Sequence, residues 1–115
     1  MLYRGLQLKP EEVEGYVKDE TISLTGYTST SKYLDIAKEF ALSELPEGKR
    51  AVVYHIKFTG DEGLFYMSDN RFTAFEEDEI LVQDGFEYRI DSIEEEKDEW
   101  TQKMIVNVVL VYPAK

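Results

Sequence analysis

Ile22-Ser23-Leu24-Thr25-Gly26-Tyr27-Thr28-Ser29-Thr30-Ser31 is the stretch on which the fold turns. Ile22, Leu24 and Gly26 alternate with Ser23, Thr25 and Tyr27, the period-two pattern of a strand. The hydroxyl cluster then meets a helical pattern. Ser29, Thr30 or Ser31 can each serve as an N-cap, since a short side-chain oxygen accepts a free amide of the first turn. Tyr33, Ala37, Phe40 and Ala41 recur at helical spacing on one face. Leu45-Pro46-Glu47-Gly48 stops that helix.

Upstream, Leu2 to Leu6 reads as a short opening strand. Pro10, followed by Glu11 and Glu12, starts a helix that Gly15 keeps short. Downstream the chain is strand-rich. Strands are expected over Ala51 to Phe58, Leu64 to Met67, Glu79 to Val82, Phe86 to Ile93 and Met104 to Tyr112. Turns fall at Thr59-Gly60-Asp61-Glu62-Gly63 and Gln83-Asp84-Gly85. The acidic run from Glu94 to Glu99 reads as a solvated loop, and Trp100 as a core residue or an anchor of the last hairpin. This is an α+β arrangement, with two small packed sheets or one strongly bent sheet and one or two helices.

Length and composition narrow the function. At 115 residues the chain is expected to be one domain, and 43% hydrophobic residues are enough for a core. A formal charge of -11 argues against a nucleic-acid backbone or an anionic membrane as partner, and suits a basic protein. With no cysteine, thiolate zinc sites and cysteine nucleophiles are excluded. His55 is the single histidine, so a histidine-based transition-metal site is not expected, and it reads as structural beside Val53. Asp61, Glu62, Asp69 and Asn70 lack the regular ligand spacing of a calcium loop. No Gly-x-Ser-x-Gly elbow supports a serine hydrolase. No signal peptide is visible, so the expectation is a protein that is cytoplasmic or delivered into a target cell.

Three short pieces carry the chemistry: Arg4 in Leu2-Tyr3-Arg4-Gly5-Leu6, the cluster Thr28-Ser29-Thr30-Ser31, and the acids of Glu76-Glu77-Asp78-Glu79-Ile80-Leu81. An arginine fork bonds phosphate oxygens in pairs. In an extended segment Glu77 and Glu79 point to one face, their Cα atoms roughly 7 Å apart. Two fixed anions there suit a developing sugar cation. Each piece also has a plain reading: a surface arginine, a helix cap, a solvated edge that discourages sheet pairing.

Taken in order, the aromatic-Arg-Gly strand, the Ser-Thr-Ser motif and the Glu-x-Glu motif resemble the mono-ADP-ribosyltransferases of the arginine-serine-glutamate class, which includes toxin enzymes and vertebrate ecto-enzymes. The resemblance runs from Leu2 to Tyr112. It implies an ADP-ribosyltransferase-like fold and transfer of ADP-ribose from NAD, consumed as a substrate, to protein arginine with release of nicotinamide. No metal is implied. NAD glycohydrolysis, or an inactive domain that only binds a partner, are the alternatives.

The resemblance also implies roles. Arg4 holds the NAD phosphates, and the backbone of Gly5 meets the nicotinamide carboxamide. Ser29 orients the catalytic glutamate, while Thr30 and Ser31 support the strand edge. Glu79 favours the oxocarbenium and Glu77 engages the acceptor. Met67 to Glu76 forms a recognition loop with Phe72 and Phe75 as contacts. Family domains usually carry a helical lobe before the arginine strand. Residues 1–115 are therefore expected to be either a compact catalytic domain or one whose upstream lobe has been lost.

Overall fold

The apolar run Ala51-Val52-Val53-Tyr54, continued by Ile56, has no polar face, and such a strand must be covered on both sides. A computed structural model of the chain describes residues 1–23, 28–59, 66–68, 80–82, 87–112 and 114. In it this run lies in a strand flanked by neighbours on both edges. The strands are β1 (Leu2–Leu8), β2 (Thr21–Ser23), β3 (Thr28–Thr30), β4 (Arg50–Phe58), β5 (Tyr66–Ser68), β6 (Ile80–Val82), β7 (Glu87–Lys97) and β8 (Met104–Tyr112). The helices are α1 (Pro10–Glu14) and α2 (Leu34–Leu42). One five-stranded sheet runs β1-β4-β8-β7-β2 and a three-stranded sheet runs β3-β6-β5. β4 pairs antiparallel with β1 and parallel with β8. The two sheets meet at an antiparallel bridge between Tyr3 and Ser31, so the whole reads as a strongly curled, strand-rich α+β fold.

Alternation along β1, β4 and β8 sorts the core into two layers. One face carries Leu2, Val52, Tyr54, Ile56, Val106, Val108 and Leu110, joined by Tyr88 and Ile90 of β7 and by Val13 and Tyr16 from the α1 segment. The other carries Ala51, Val53 and Ile105 under Ala37 and Ala41 of α2. The second layer is thin because its residues are small. A methyl group built on Gly5 would stand 1.8 Å from the Ala37 carbonyl oxygen and 2.9 Å from the Ala41 amide nitrogen, so α2 lies directly on the backbone of β1. Gln7, two residues along the same face, donates to the carbonyls of Ala41 (3.1 Å) and Ser43 (2.8 Å), which have no partner within the helix.

Several expectations need correction. The hydroxyl cluster is not a helix cap: Thr28–Thr30 is strand, and Tyr33 is the N-cap of α2 without a side-chain cap. β-branched threonines favour extended backbone. Pairing with β6 on one edge and with Tyr3 on the other supplies more backbone bonds than one local cap. Ser31 still prepares the helix, because its Oγ accepts the Tyr33 amide at 3.0 Å. Phe40 and Tyr33 do not share the buried face of Ala37 and Ala41; they are exposed. So close an approach of helix to strand centres the contact on the alanines, with Leu34 and Leu42 packed alongside.

The first half of the acidic run is strand, not loop. Glu94, Glu95 and Glu96 continue β7 and pair with Asn107, Val106 and Ile105, out to Lys97 opposite Met104. β2 covers β7 only at Glu87–Arg89, so among the described residues the acids lie along an edge, where charge discourages further pairing. A register shift between Ile90 and Ser92 accompanies this extension past Ile93. Trp100 packs no core. It is 92% exposed in the turn between β7 and β8, which is held instead by Asp98 accepting the Thr101 amide and hydroxyl, each at 2.8 Å.

Candidate active site

The bridge between the sheets brings the sequence motifs side by side. Tyr3, the neighbour of Arg4, exchanges two backbone hydrogen bonds with Ser31, each 2.8 Å. On the other edge of the same segment, Ser29 pairs with Leu81 and Thr30 with Ile80. Ile80 directly follows Glu79 in the chain. The arginine strand, the serine motif and the strand that continues from the acid doublet are therefore consecutive across the backbone. Glu77, Glu79, Phe72 and Phe75 lie outside the described residues.

Gly5 has two distinct surroundings. Its face is filled by α2. Its N–H and C=O, two residues on from Tyr3, turn by strand alternation toward the edge where Ser31 pairs, away from β4. Gly5 lies in regular strand, since β1 pairs with β4 without a register break from Leu2 to Leu8. Thr30 and Ser31 are buried at 4% and 7% exposure, so the junction of the sheets is packed.

Arg4 is half-buried and lies directly opposite Tyr54. Tyr54 is almost fully buried, and its hydroxyl bonds that of Tyr16, just beyond α1. Burial pushes the Tyr54 phenol up, the bond to Tyr16 adds to this, and the Arg4 charge opposes it. Burial likewise raises Tyr16. Both phenols are therefore neutral at physiological pH. Sequence reasoning missed this pair. The available signal was Tyr54 alternating with Val52 and Ile56, which commits a phenol to the core and its hydroxyl to finding a partner.

A second polar chain crosses the α2 face. His55 Nε2 donates to Asn107 Oδ1 at 2.8 Å, and the Tyr3 ring meets His55 edge-on with centroids 5.3 Å apart. This matches the structural reading of His55. The Asn107 amide beside Glu96, and then Lys38 of α2 at 3.2 Å, hold the Glu96 carboxyl below the usual glutamate range. A carboxyl depressed on folding stabilises above its unfolded pKa, and that stability is lost as pH falls through the folded value. Thermal unfolding of Glu96→Gln is expected to decline less steeply than wild type as pH falls from about 5 to about 3. Parallel decline in the two proteins would remove Glu96 from the acid response.

Among the described residues, no helix is long and apolar enough to cross a membrane, and no group of His, Asp or Glu could hold a metal ion. The sequence model of the ADP-ribosyltransferase exoenzyme family matches residues 6–112. The chain belongs to the ADP-ribosyltransferase exoenzyme family. Enzymes of that family use NAD as substrate. The matched span starts at Leu6, two residues past Arg4.

No curated protein matches the sequence. The fold is similar to three structures of Vis. The ADP-ribosyltransferase Vis in complex with the M6 inhibitor is 20% identical with a TM-score of 0.69, covering 98% of this chain and 49% of Vis. The agmatine complex is 19% identical with a TM-score of 0.69 over the same shares. The Vis toxin from Vibrio splendidus is 20% identical with a TM-score of 0.66, covering 98% of this chain and 48% of that one. The chain thus spans about half the length of the Vis structures, and the similarity is one of fold.

Proposed function

We propose that this chain is the catalytic unit of an NAD-dependent mono-ADP-ribosyltransferase that modifies protein arginine. The observation that supports the reading is the backbone order β1, Ser31 bridge, β3, β6, in which the strands that carry Arg4, the Ser-Thr-Ser segment and the residue after Glu79 are neighbours. The agmatine complex of Vis adds a further hint, since agmatine presents the same guanidinium group as an arginine side chain.

In the proposed reaction Arg4 binds the pyrophosphate of NAD, and the edge N–H and C=O of Gly5 bind the nicotinamide carboxamide. The bond between ribose C1′ and the nicotinamide nitrogen breaks, with its electron pair leaving on nicotinamide. Glu79 accepts a hydrogen bond from a ribose hydroxyl and its charge stabilises the cation left on the sugar, an interaction stronger in the transition state than in the ground state. Glu77 draws the acceptor guanidinium in and orients its nitrogen. That nitrogen bonds C1′ from the opposite side and gives up its proton. The charge of -11 suits approach by a basic target.

Incubation with NAD and a basic protein, followed by mass spectrometry, is expected to reveal ADP-ribosyl-arginine. Labelling confined to other residue types would overturn the arginine assignment, and release of free ADP-ribose without labelled protein would make the protein a glycohydrolase. Glu77→Gln is expected to reduce transfer to arginine by about 100-fold while NAD hydrolysis changes far less. Equal loss of both would refute the acceptor role of Glu77.

A further inference from the structure

Arg4 alternates with Tyr3 and Gly5 along β1, which puts it with Leu2 on the face of the larger core layer. Across the strand pair its direct neighbour is Tyr54, at a register position where side chains on one face touch. Tyr54 is anchored from the far side by the Tyr16 hydroxyl, and the two rings sit 6.3 Å apart, tilted against each other. Tyr16 is itself fixed by its amide, which bonds the Val13 carbonyl at 3.1 Å and so closes the end of α1. The two phenols thus link the end of α1 to the register position opposite Arg4, close enough for the arginine charge to act on the Tyr54 phenol.

Building on the phosphate role proposed above for Arg4, we propose that the Tyr16–Tyr54 hydroxyl pair is a positioning device for the Arg4 guanidinium, holding it for the NAD pyrophosphate without neutralising it. The chemistry favours phenols over acids at this place. A carboxylate in the place of Tyr54 would form an ion pair that the dinucleotide phosphates would have to break. A neutral phenol restrains the side chain by packing and dipole and takes no charge from it. Restraint matters because a free arginine loses much rotamer entropy on binding, and a braced one has lost it already. Neither tyrosine touches the reacting atoms in this scheme; both act through Arg4.

The double variant Tyr16→Phe/Tyr54→Phe tests this. Removing both hydroxyls breaks the pair without stranding one buried hydroxyl, so the melting temperature should stay near wild type. Calorimetric titration with ADP-ribose, which carries the pyrophosphate and lacks nicotinamide, is expected to show affinity weakened about fivefold or more. In steady-state turnover of NAD the loss should fall on KM, with kcat little changed. In an Arg4→Lys background, which keeps the charge and loses the planar fork, the double change should have no further effect. Wild-type affinity in the double variant, or an equal loss in the Arg4→Lys background, overturns the inference and leaves the site reading intact. Wild-type protein that binds neither NAD nor ADP-ribose overturns the site reading, and the inference with it.

Discussion

Replacing Glu79 with alanine is expected to abolish ADP-ribosyl transfer, by about 1000-fold or more, with little change in thermal stability. The proposed transition state puts positive charge on the ribose, and the role proposed for Glu79 is to supply the anion that stabilises it. The nearest described backbone is that of Ile80. Ile80 is locked to Thr30 in β3, and Ser31, one residue further, is locked to Tyr3 beside Arg4. The variant should fail in transfer and in NAD hydrolysis alike, because both reactions pass through the same sugar cation. Loss of transfer with retained hydrolysis would instead assign Glu79 to the acceptor. Unchanged rates of both would remove it from the reaction.

Gly5→Ala is expected to be the most damaging small substitution for the fold. The added methyl would stand 1.8 Å from the Ala37 carbonyl oxygen, a backbone atom that no rotamer change can move aside. Relief requires α2 to lift off β1, exposing Ala37, Ala41 and Val53 and breaking the bonds from Gln7 to the end of the helix. The cost is about 3 kcal/mol or more, at the upper end of overpacking. Roughly 10 °C or more of melting temperature should go with it. Because β1 also carries Arg4, NAD affinity should fall in step. A melting temperature within a degree or two of wild type would contradict a direct seat of α2 on the backbone of β1.

The elements most legible in sequence are those whose pattern is set by burial alone. β4 and β8 follow their apolar residues almost to the boundary, and α1 obeys Pro10 and Gly15. Reading failed where a distant partner decides. Ser29, Thr30 and Ser31 are ideal caps locally, yet Tyr3 and Ile80, each far away in sequence, make them strand. Glu94, Glu95 and Glu96 look like loop until β8 offers Val106 and Asn107 as pairing partners. Phe40 and Trp100 count as core by type, but the close seat of α2 and the tight Asp98–Thr101 turn leave both outside.

The site divides in the same way. Arg4, Gly5 and the Ser-Thr-Ser segment could be picked out by motif, and the backbone brings their strands together. Glu77, Glu79, Phe72 and Phe75 were legible by motif and lie outside the described residues. The phenols behind Arg4 carry no motif. Only the β1–β4 register sets Tyr54 opposite it.

A crystal structure of the protein with NAD bound tests the central claim most directly. The account predicts the pyrophosphate within hydrogen-bonding distance of the Arg4 guanidinium, the nicotinamide carboxamide on the backbone of Gly5, and the Glu79 carboxylate on a ribose hydroxyl. A dinucleotide bound elsewhere, or one that leaves Arg4 and Glu79 on separate surfaces, would contradict it.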